Sequence, residues 1–331
     1  MKSILKTVFA SILFIAFLSC ERPARLREAQ GAVWNTTYHI IYSAPADLRD
    51  SILTVFRQVE QSLSPFAKTS LISRVNRGEE GVVADSLLVR IFTESQHICR
   101  LSGGAFDPTV APLINLWGFG YKPGETEPSQ AHIDSLLASV GIMECSITPE
   151  GAISRKSPST EFNFSAITKG YGVDLVGEML ERNGADSYMV EIGGEIAVRG
   201  LSPRRQPWRV QIDAPVVSDS SVIHESLAIV EVTDCGIATS GNYRNYRETT
   251  DGRVWHTISP TTGRPAATDV TSATVIAPDC MTADALATSC MAMPSAEAVR
   301  MIEAIPGVSA LLVTRDSTLI TAGPFPLKSR R

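Results

Sequence analysis

The sequence predicts an α+β fold, irregular rather than doubly wound, with two packed lobes in which mixed sheets are flanked by helices. Strand and helix patterns alternate along the chain, but without the regular βαβ spacing that builds a parallel sheet. The later half is rich in short strand-like runs. No internal repeat, long low-complexity segment or linker interrupts the chain after residue 30. At 331 residues, 44% of them apolar, the chain is long enough for one large unit with a sizeable core.

The first element is not part of that unit. "MKSILKTVFASILFIAFLSC" carries Lys2 and Lys6 and then an apolar run from Val8 to Leu18, too short for a comfortable membrane span and placed where a secretory signal sits. Ser19-Cys20 ends it in the manner of a bacterial lipoprotein processing site. The expectation is a signal peptide over 1–19, a lipidated Cys20, a charged tether over 20–30, and a folded domain over 31–331. An uncleaved anchor, or an ordinary signal with an incidental cysteine, is the alternative. The expected location is the bacterial cell envelope, lipid-anchored to the membrane and facing the periplasm.

Gly31 to Ile41, "GAVWNTTYHII", reads as a strand. Leu48, Ile52, Val55, Phe56, Val59 and Leu63 then form a helical stripe that stops at Pro65. "DSLLVRIFTESQHICRLSGG" repeats the pattern, with Asp85 as cap and Gly103-Gly104 as terminator. "AFDPTVAPLINLWGFG" keeps no period and reads as an irregular loop. A helix is predicted over about 130–140, short strands near Ile147 and Ile153, and a helix from about Lys169 to Arg182 ended by Asn183-Gly184. "SYMVEIGGEIAVRG" is two strands about a Gly-Gly break. "WRVQIDAP", "LAIVEVTDCGIATSG", "WHTISP" and "SATVIAP" add more. "TADALATSCMAM" and "SAEAVRMIEAI" are helices, and "SALLVTRDSTLITAG" is a closing hairpin.

A net charge of −5 without a long basic run argues against nucleic acid as a partner. Beyond Cys20 stand Cys99, Cys145, Cys235, Cys280 and Cys290. No two form a Cys-x-x-Cys pair, so zinc and dithiol redox centres are poorly supported and buried core thiols are the plainer reading. Neither a P-loop nor a Rossmann glycine fingerprint is present. A Gly-x-Ser-x-Gly elbow is also missing, which sets serine hydrolases low.

The sharpest local geometry is Asp284 and Thr288. Residues four apart share a helix face, and a carboxylate with a hydroxyl suits Mg²⁺ rather than zinc. The same segment also fits a plain helix in which Thr282 is the cap, Asp284 favours the positive end and Thr288 bonds a backbone carbonyl. "FNFSAITKGYGVD" brings Ser165, Thr168 and Lys169 to a helix start, where an anion is well received, or it is a cap beside a surface lysine. Gly193-Gly194 allows close backbone approach to a ligand or is only a turn. His256 is a candidate general base or a structural histidine. Thr239 and Ser240 could donate hydroxyls to phosphate, or belong to a simple turn.

Six segments in order, "GGAFDPTVAPLINLWGFG", "SAITKGYGVD", "EIGGEIAVRG", "ATSGNY", "HTISPTTGRP" and "TADALAT", resemble the ApbE family of FAD:protein FMN transferases, over about Gly31 to Met293. The resemblance implies an ApbE-like fold and a Mg²⁺-dependent enzyme that takes FAD as substrate. It would transfer FMN to a threonine hydroxyl of an acceptor protein and release AMP. By position it implies FAD contacts at Trp34, Phe66, Ala105, Phe106, Asp107, Asn163, Lys169 and Ile258. It implies Mg²⁺ ligands at Asp284, Thr288 and the backbone oxygen of Ala166. Lys169, His256 and Asp284 would be the catalytic groups. Family acceptors include flavin-bearing subunits of sodium-pumping quinone reductases and Rnf complexes. Three positions depart from the pattern: Trp34 replaces the usual Met before Gly-Thr, Asn163 stands where an acid is common, and Ser259 replaces an Asp. A Mg²⁺-dependent FAD pyrophosphatase yielding FMN and AMP, and a non-catalytic FAD-binding lipoprotein, are the competing readings.

Overall fold

The computed structural model describes residues 24–125, 127–215, 226–242, 246–249 and 252–330. The expected signal 1–19 and the lipidation position Cys20 lie outside the described residues. Ordered structure begins before Gly31, which corrects both the tether over 20–30 and the single first strand. β1 (Arg25–Val33) and β2 (Thr36–Ala44) form an antiparallel hairpin. Trp34 and Asn35 make its turn with φ of 47° and 60°, both left-handed, as a two-residue hairpin turn requires. β1 is a sheet edge that buries only Ala29, so its charged residues imitate a linker while protecting the edge.

Five α-helices follow before the next strand. α1 (Arg49–Leu63) buries Ile52, Val55, Phe56, Val59 and Leu63, as its stripe requires. α2 is Leu71–Asn76. α3 (Ser86–Leu101) is capped by Asp85, which accepts the Leu88 N–H at 2.8 Å. The expected irregular loop contains a short helix, α4 (Ala111–Leu116), with a proline in its first turn. α5 (Gln130–Leu137) leads to the small pair β3 (Ser146–Ile147) and β4 (Ile153–Ser154). α6 spans Ser165–Arg182 and starts a turn earlier than predicted.

The remaining strands are β5 (Ser187–Ile192), β6 (Glu195–Arg199), β7 (Trp208–Asp213), β8 (Ser226–Val232), β9 (Cys235–Gly241), β10 (Tyr246–Thr249), β11 (Gly252–Trp255), β12 (Val270–Ala277), β13 (Ser309–Thr314), β14 (Leu319–Ala322) and β15 (Leu327–Arg330). Between β12 and β13 lie α7 (Cys280–Met291) and α8 (Ser295–Glu303). "HTISP" is not a strand; it makes one bridge, Ile258 to Pro265.

Eight strands pair in the order β1-β2-β5-β6-β9-β12-β13-β14, and β15-β8-β7 form a second sheet. The α+β class is as expected. The sheets expected as mixed are antiparallel at every ladder, and short turns join β1 to β2, β5 to β6 and β13 to β14, a connection open only to antiparallel neighbours.

Strand alternation sorts the large sheet's two faces. Val190, Ala238, Val275 and Leu312 pack in the core with the helices. Met189, Ile237, Ile276 and Leu311 pack in the core with β7 and β8. A smaller cluster of Val110, Leu113, Leu116, Trp117, Ile133, Val140 and Ile258 stands apart from both. The five described cysteines are free thiols and four are buried.

Candidate active site

α7 sets the site. Every residue in it is buried except Thr282 and Thr288, so the helix belongs to the core and its polar side chains have few places to go. Its cap is Asp279, which accepts the Thr282 N–H at 2.8 Å; the alternative that made Thr282 the cap is corrected. Asp284 is 3% exposed, and its Oδ2 accepts the Gly170 N–H at 3.0 Å. One turn on, Thr288 Oγ1 lies 3.3 Å from Ser240 Oγ at the end of β9.

α6 reaches α7 at Gly170. A Cβ there would stand 2.3 Å from the Cys280 carbonyl oxygen and 2.8 Å from Asp284 Cβ, so the close approach needs glycine. That approach places Lys169 beside α7. The Lys169 ammonium donates to Glu195 Oε1 in a short ion pair. Burial works against its charge, yet Glu195 and Asp284 outweigh that and raise its pKa. Burial pushes the Glu195 carboxyl up to about 7, with Lys169 opposing and Asp284 reinforcing the rise. Asp284 is likewise raised by burial, against the pull of Lys169 and the Gly170 amide. Glu195 Oε2 is buried with no hydrogen-bond partner, an arrangement that costs stability unless something polar binds there.

Two adjoining cavities meet at this cluster. The larger, about 470 Å³, is lined by Ala105, Phe106, Asp107, Asn163, Ala166, Lys169, His256, Ile258, Asp284 and Thr288, along with Glu195, Thr239 and Ser240. The second, about 430 Å³, is lined by Trp34, Glu60, Ser64 and Pro65 among others, and shares Phe66, Ser165 and Lys169 with the first. Of the candidate site residues singled out in the sequence, Trp34 and Thr168 line only the second cavity. The Trp34 indole also packs edge-on against Phe56, 5.4 Å between centroids, and over Gly172, where a Cβ would stand 2.4 Å away. Phe66 is 62% exposed and lies edge-on to Tyr121.

Asp107 lines the larger cavity, but its carboxylate is committed inward. Oδ1 accepts from the Thr109 N–H at 2.8 Å and the Thr109 hydroxyl at 2.5 Å, and Oδ2 from the Ile142 N–H at 2.9 Å. Asp107→Ala is therefore expected to destabilise the fold by about 2–4 kcal/mol through orphaned donors, read as a lower urea midpoint. An unchanged midpoint would show that the hydrogen bonds do not hold the loop. Asn163 joins the same loop to α6: its N–H donates to Pro108 O at 2.9 Å, and its Oδ1 accepts the Ser165 N–H at 3.0 Å. The N-terminus of α6 thus opens on the cavity through Ser165 and Ala166. His256 also lines this cavity, its ring edge-on to Phe119 at 6.4 Å.

Sequence reading missed Glu195, having stopped at the two preceding glycines. The signal was there: Glu195 is in phase with Ala197, which faces the helical core, and an acid at a core-facing strand position is informative.

Two buried carboxylates about a half-buried ammonium, at the junction of two clefts and beside a helix N-terminus, define an enzyme that handles an extended anionic substrate. The chain belongs to the ApbE family, whose model matches residues 34–312. The FAD:protein FMN transferase of Vibrio cholerae is 38% identical over 305 residues, covering 89% of each chain. That of Escherichia coli K12 is 32% identical over 277 residues, covering 82% of this chain and 78% of its own. Among solved structures, flavin transferase ApbE from Vibrio cholerae superimposes with a TM-score of 0.79 at 34% identity, over 92% of this chain and 100% of that one. The apo form of Pseudomonas stutzeri flavinyl transferase ApbE gives 0.81 at 30% identity, over 91% and 96%.

Proposed function

We propose that this protein is a Mg²⁺-dependent FAD:protein FMN transferase that acts on a threonine hydroxyl of an acceptor protein. The observation that carries the reading is the convergence of Asp284, Thr288, Ala166 and Lys169 on one cavity in a chain of the ApbE family. The donor set is all oxygen, and Glu195, whose Oε2 has no hydrogen-bond partner, is among the residues lining the same cavity; both fit a hard divalent cation. Asp284, Thr288 and the Ala166 carbonyl oxygen would hold Mg²⁺. When bound, Mg²⁺ would neutralise pyrophosphate charge and act as a Lewis acid on the phosphoryl oxygens.

The chain's own groups supply the rest. Trp34 and Phe66 would contact FAD from the second cavity, and Ala105, Phe106, Asp107, Asn163 and Ile258 from the first, so the dinucleotide would run through both. Lys169, at their junction, would add positive charge where the pyrophosphate crosses. The α6 N-terminus would receive a phosphate oxygen. The threonine oxygen forms a bond to the FMN-side phosphorus, the pyrophosphate bridge breaks, and AMP leaves. His256 would accept the threonine proton.

The acceptors that suit this chemistry are exposed threonine-bearing flavoprotein domains, such as subunits of sodium-pumping quinone reductases or Rnf complexes. Cys20 would carry the lipid anchor and face the enzyme to the periplasm. The test is intact-mass spectrometry of such an acceptor domain incubated with FAD and this protein lacking residues 1–20. A mass gain of one FMN, with stoichiometric AMP, abolished by EDTA and restored by Mg²⁺, is the expected result. Free FMN and AMP with acceptors left unmodified would replace the transferase by a pyrophosphatase.

A further inference from the structure

The first three N–H groups of α7 have no partner within the helix, and the helix has almost no solvent face to satisfy them. Asp279 takes the third, that of Thr282. The other two belong to Asp174, on α6. Its Oδ1 accepts the Cys280 N–H at 2.9 Å and its Oδ2 the Met281 N–H at 2.8 Å. Asp174 is one helical turn beyond Gly170, and Cys280 and Met281 lie about one turn before Asp284. The two helices are therefore fastened at two points: Gly170 N–H to Asp284, and Asp174 to the start of α7. Because the partners run in opposite order along the two helices, this is an antiparallel clasp that fixes the sliding register of α7 against α6.

We infer that Asp174 is a positioning residue for FMN transfer: by holding the first two amides of α7 it sets Asp284 and Thr288 opposite Ala166 and Lys169. It does not line either substrate cavity, lying instead on a separate small cleft with Arg90 and Asp279, so it acts only through α7. A slip of the helix by a fraction of a turn would separate the oxygen donors, which come from two different helices, while leaving the walls that would contact the flavin and adenine in place. The inference rests on the metal reading given under Proposed function.

The test compares Asp174→Asn with the parent protein, both lacking residues 1–20. The amide keeps the shape of the carboxylate but turns an NH₂ toward one of the two N–H donors. Two quantities are read: the Mg²⁺-induced rise in Tm of the FAD-free protein, and the Mg²⁺ concentration for half-maximal AMP release at saturating FAD and acceptor. The half-maximal Mg²⁺ concentration is expected to rise about tenfold or more, with KM for FAD within about twofold, and excess Mg²⁺ recovering part of kcat. Asp279→Ala is the control; it removes a neighbouring cap but leaves Cys280 and Met281 held, and its Mg²⁺ requirement should stay at the parent value.

A lowered Tm with an unchanged Mg²⁺ requirement would overturn the inference, leaving Asp174 a purely structural cap. An equal shift in Asp279→Ala would overturn it too, since general loosening would then suffice. If Asp174→Asn does not fold, Asp174→Glu carries the test: both oxygens remain, the arm is one methylene longer, and a raised Mg²⁺ requirement supports the clasp while an unchanged one defeats it. A parent protein that neither gains Tm with Mg²⁺ nor needs it for turnover would defeat the metal reading itself, before any variant is compared.

Discussion

Asp284→Ala is expected to lower the rate of FMN transfer by on the order of 10³-fold, while FAD still binds. The carboxylate is buried at the base of the larger cavity, and its loss leaves Thr288 as the one side-chain oxygen of the proposed cation set. Most of the surface proposed to contact the dinucleotide belongs to other elements, so affinity should fall far less than turnover. Initial rates of AMP release at saturating FAD and Mg²⁺, with FAD affinity from flavin fluorescence, separate the two effects. Turnover near the parent value would remove Asp284 from the mechanism. Loss of binding and turnover together would make it a part of the pocket's architecture instead.

Gly170→Ala is expected to be damaging even though alanine is the better helix former. Intrinsic propensity favours the change by about 1 kcal/mol. Against it stands a backbone oxygen 2.3 Å from the new Cβ, which cannot swing away as a side chain could. Forcing an extra methyl into a packed interior costs about 1–3 kcal/mol, so the net sign is destabilising. The larger effect falls on transfer, because α6 and α7 must part at the point where Asp284 meets the Gly170 amide. Urea denaturation and the transfer rate should both decline. A stabilised, fully active variant would mean that the helices are not locked together here.

Elements governed by local chemistry were readable in the sequence. Asp85 followed by an apolar stripe gave α3 with its cap, and the stripe from Leu48 gave α1. What escaped depended on distant partners. Trp34-Asn35 carries none of the glycine that marks a hairpin turn, so two strands were read as one. β1 looks like a tether because it is an edge. The α4 helix hides in a segment whose order comes from packing around Leu113 and Trp117 rather than from periodicity.

The site divides in the same way. Asp284 and Thr288 were visible as an i, i+4 pair, and the ordered motifs brought in the loop around Phe106. No local pattern could say that Asp107 spends its carboxylate on Thr109 and Ile142, or that Trp34 faces a different cavity from His256. Glu195 needed the strand's alternation to be carried through the Gly-Gly turn. Asp174 needed the contact between two helices more than a hundred residues apart before its partners could be named.

The burial of α7 also bears on motion. A helix packed on all sides can expose its amides only when the core opens as a whole, so the wall carrying Asp284 is the stationary one. The part of the larger cavity formed by Val110, Ile114 and Ile258 belongs to the small cluster around α4 and α5, which has far fewer apolar partners to lose. Opening of the cleft to admit a bulky dinucleotide and then an acceptor loop is therefore expected on that side. Local hydrogen exchange should be fast around Trp117 and Ile133 and as slow as global unfolding along α7. Entry and release would then be set by a part of the molecule that can change without disturbing the part that does the chemistry.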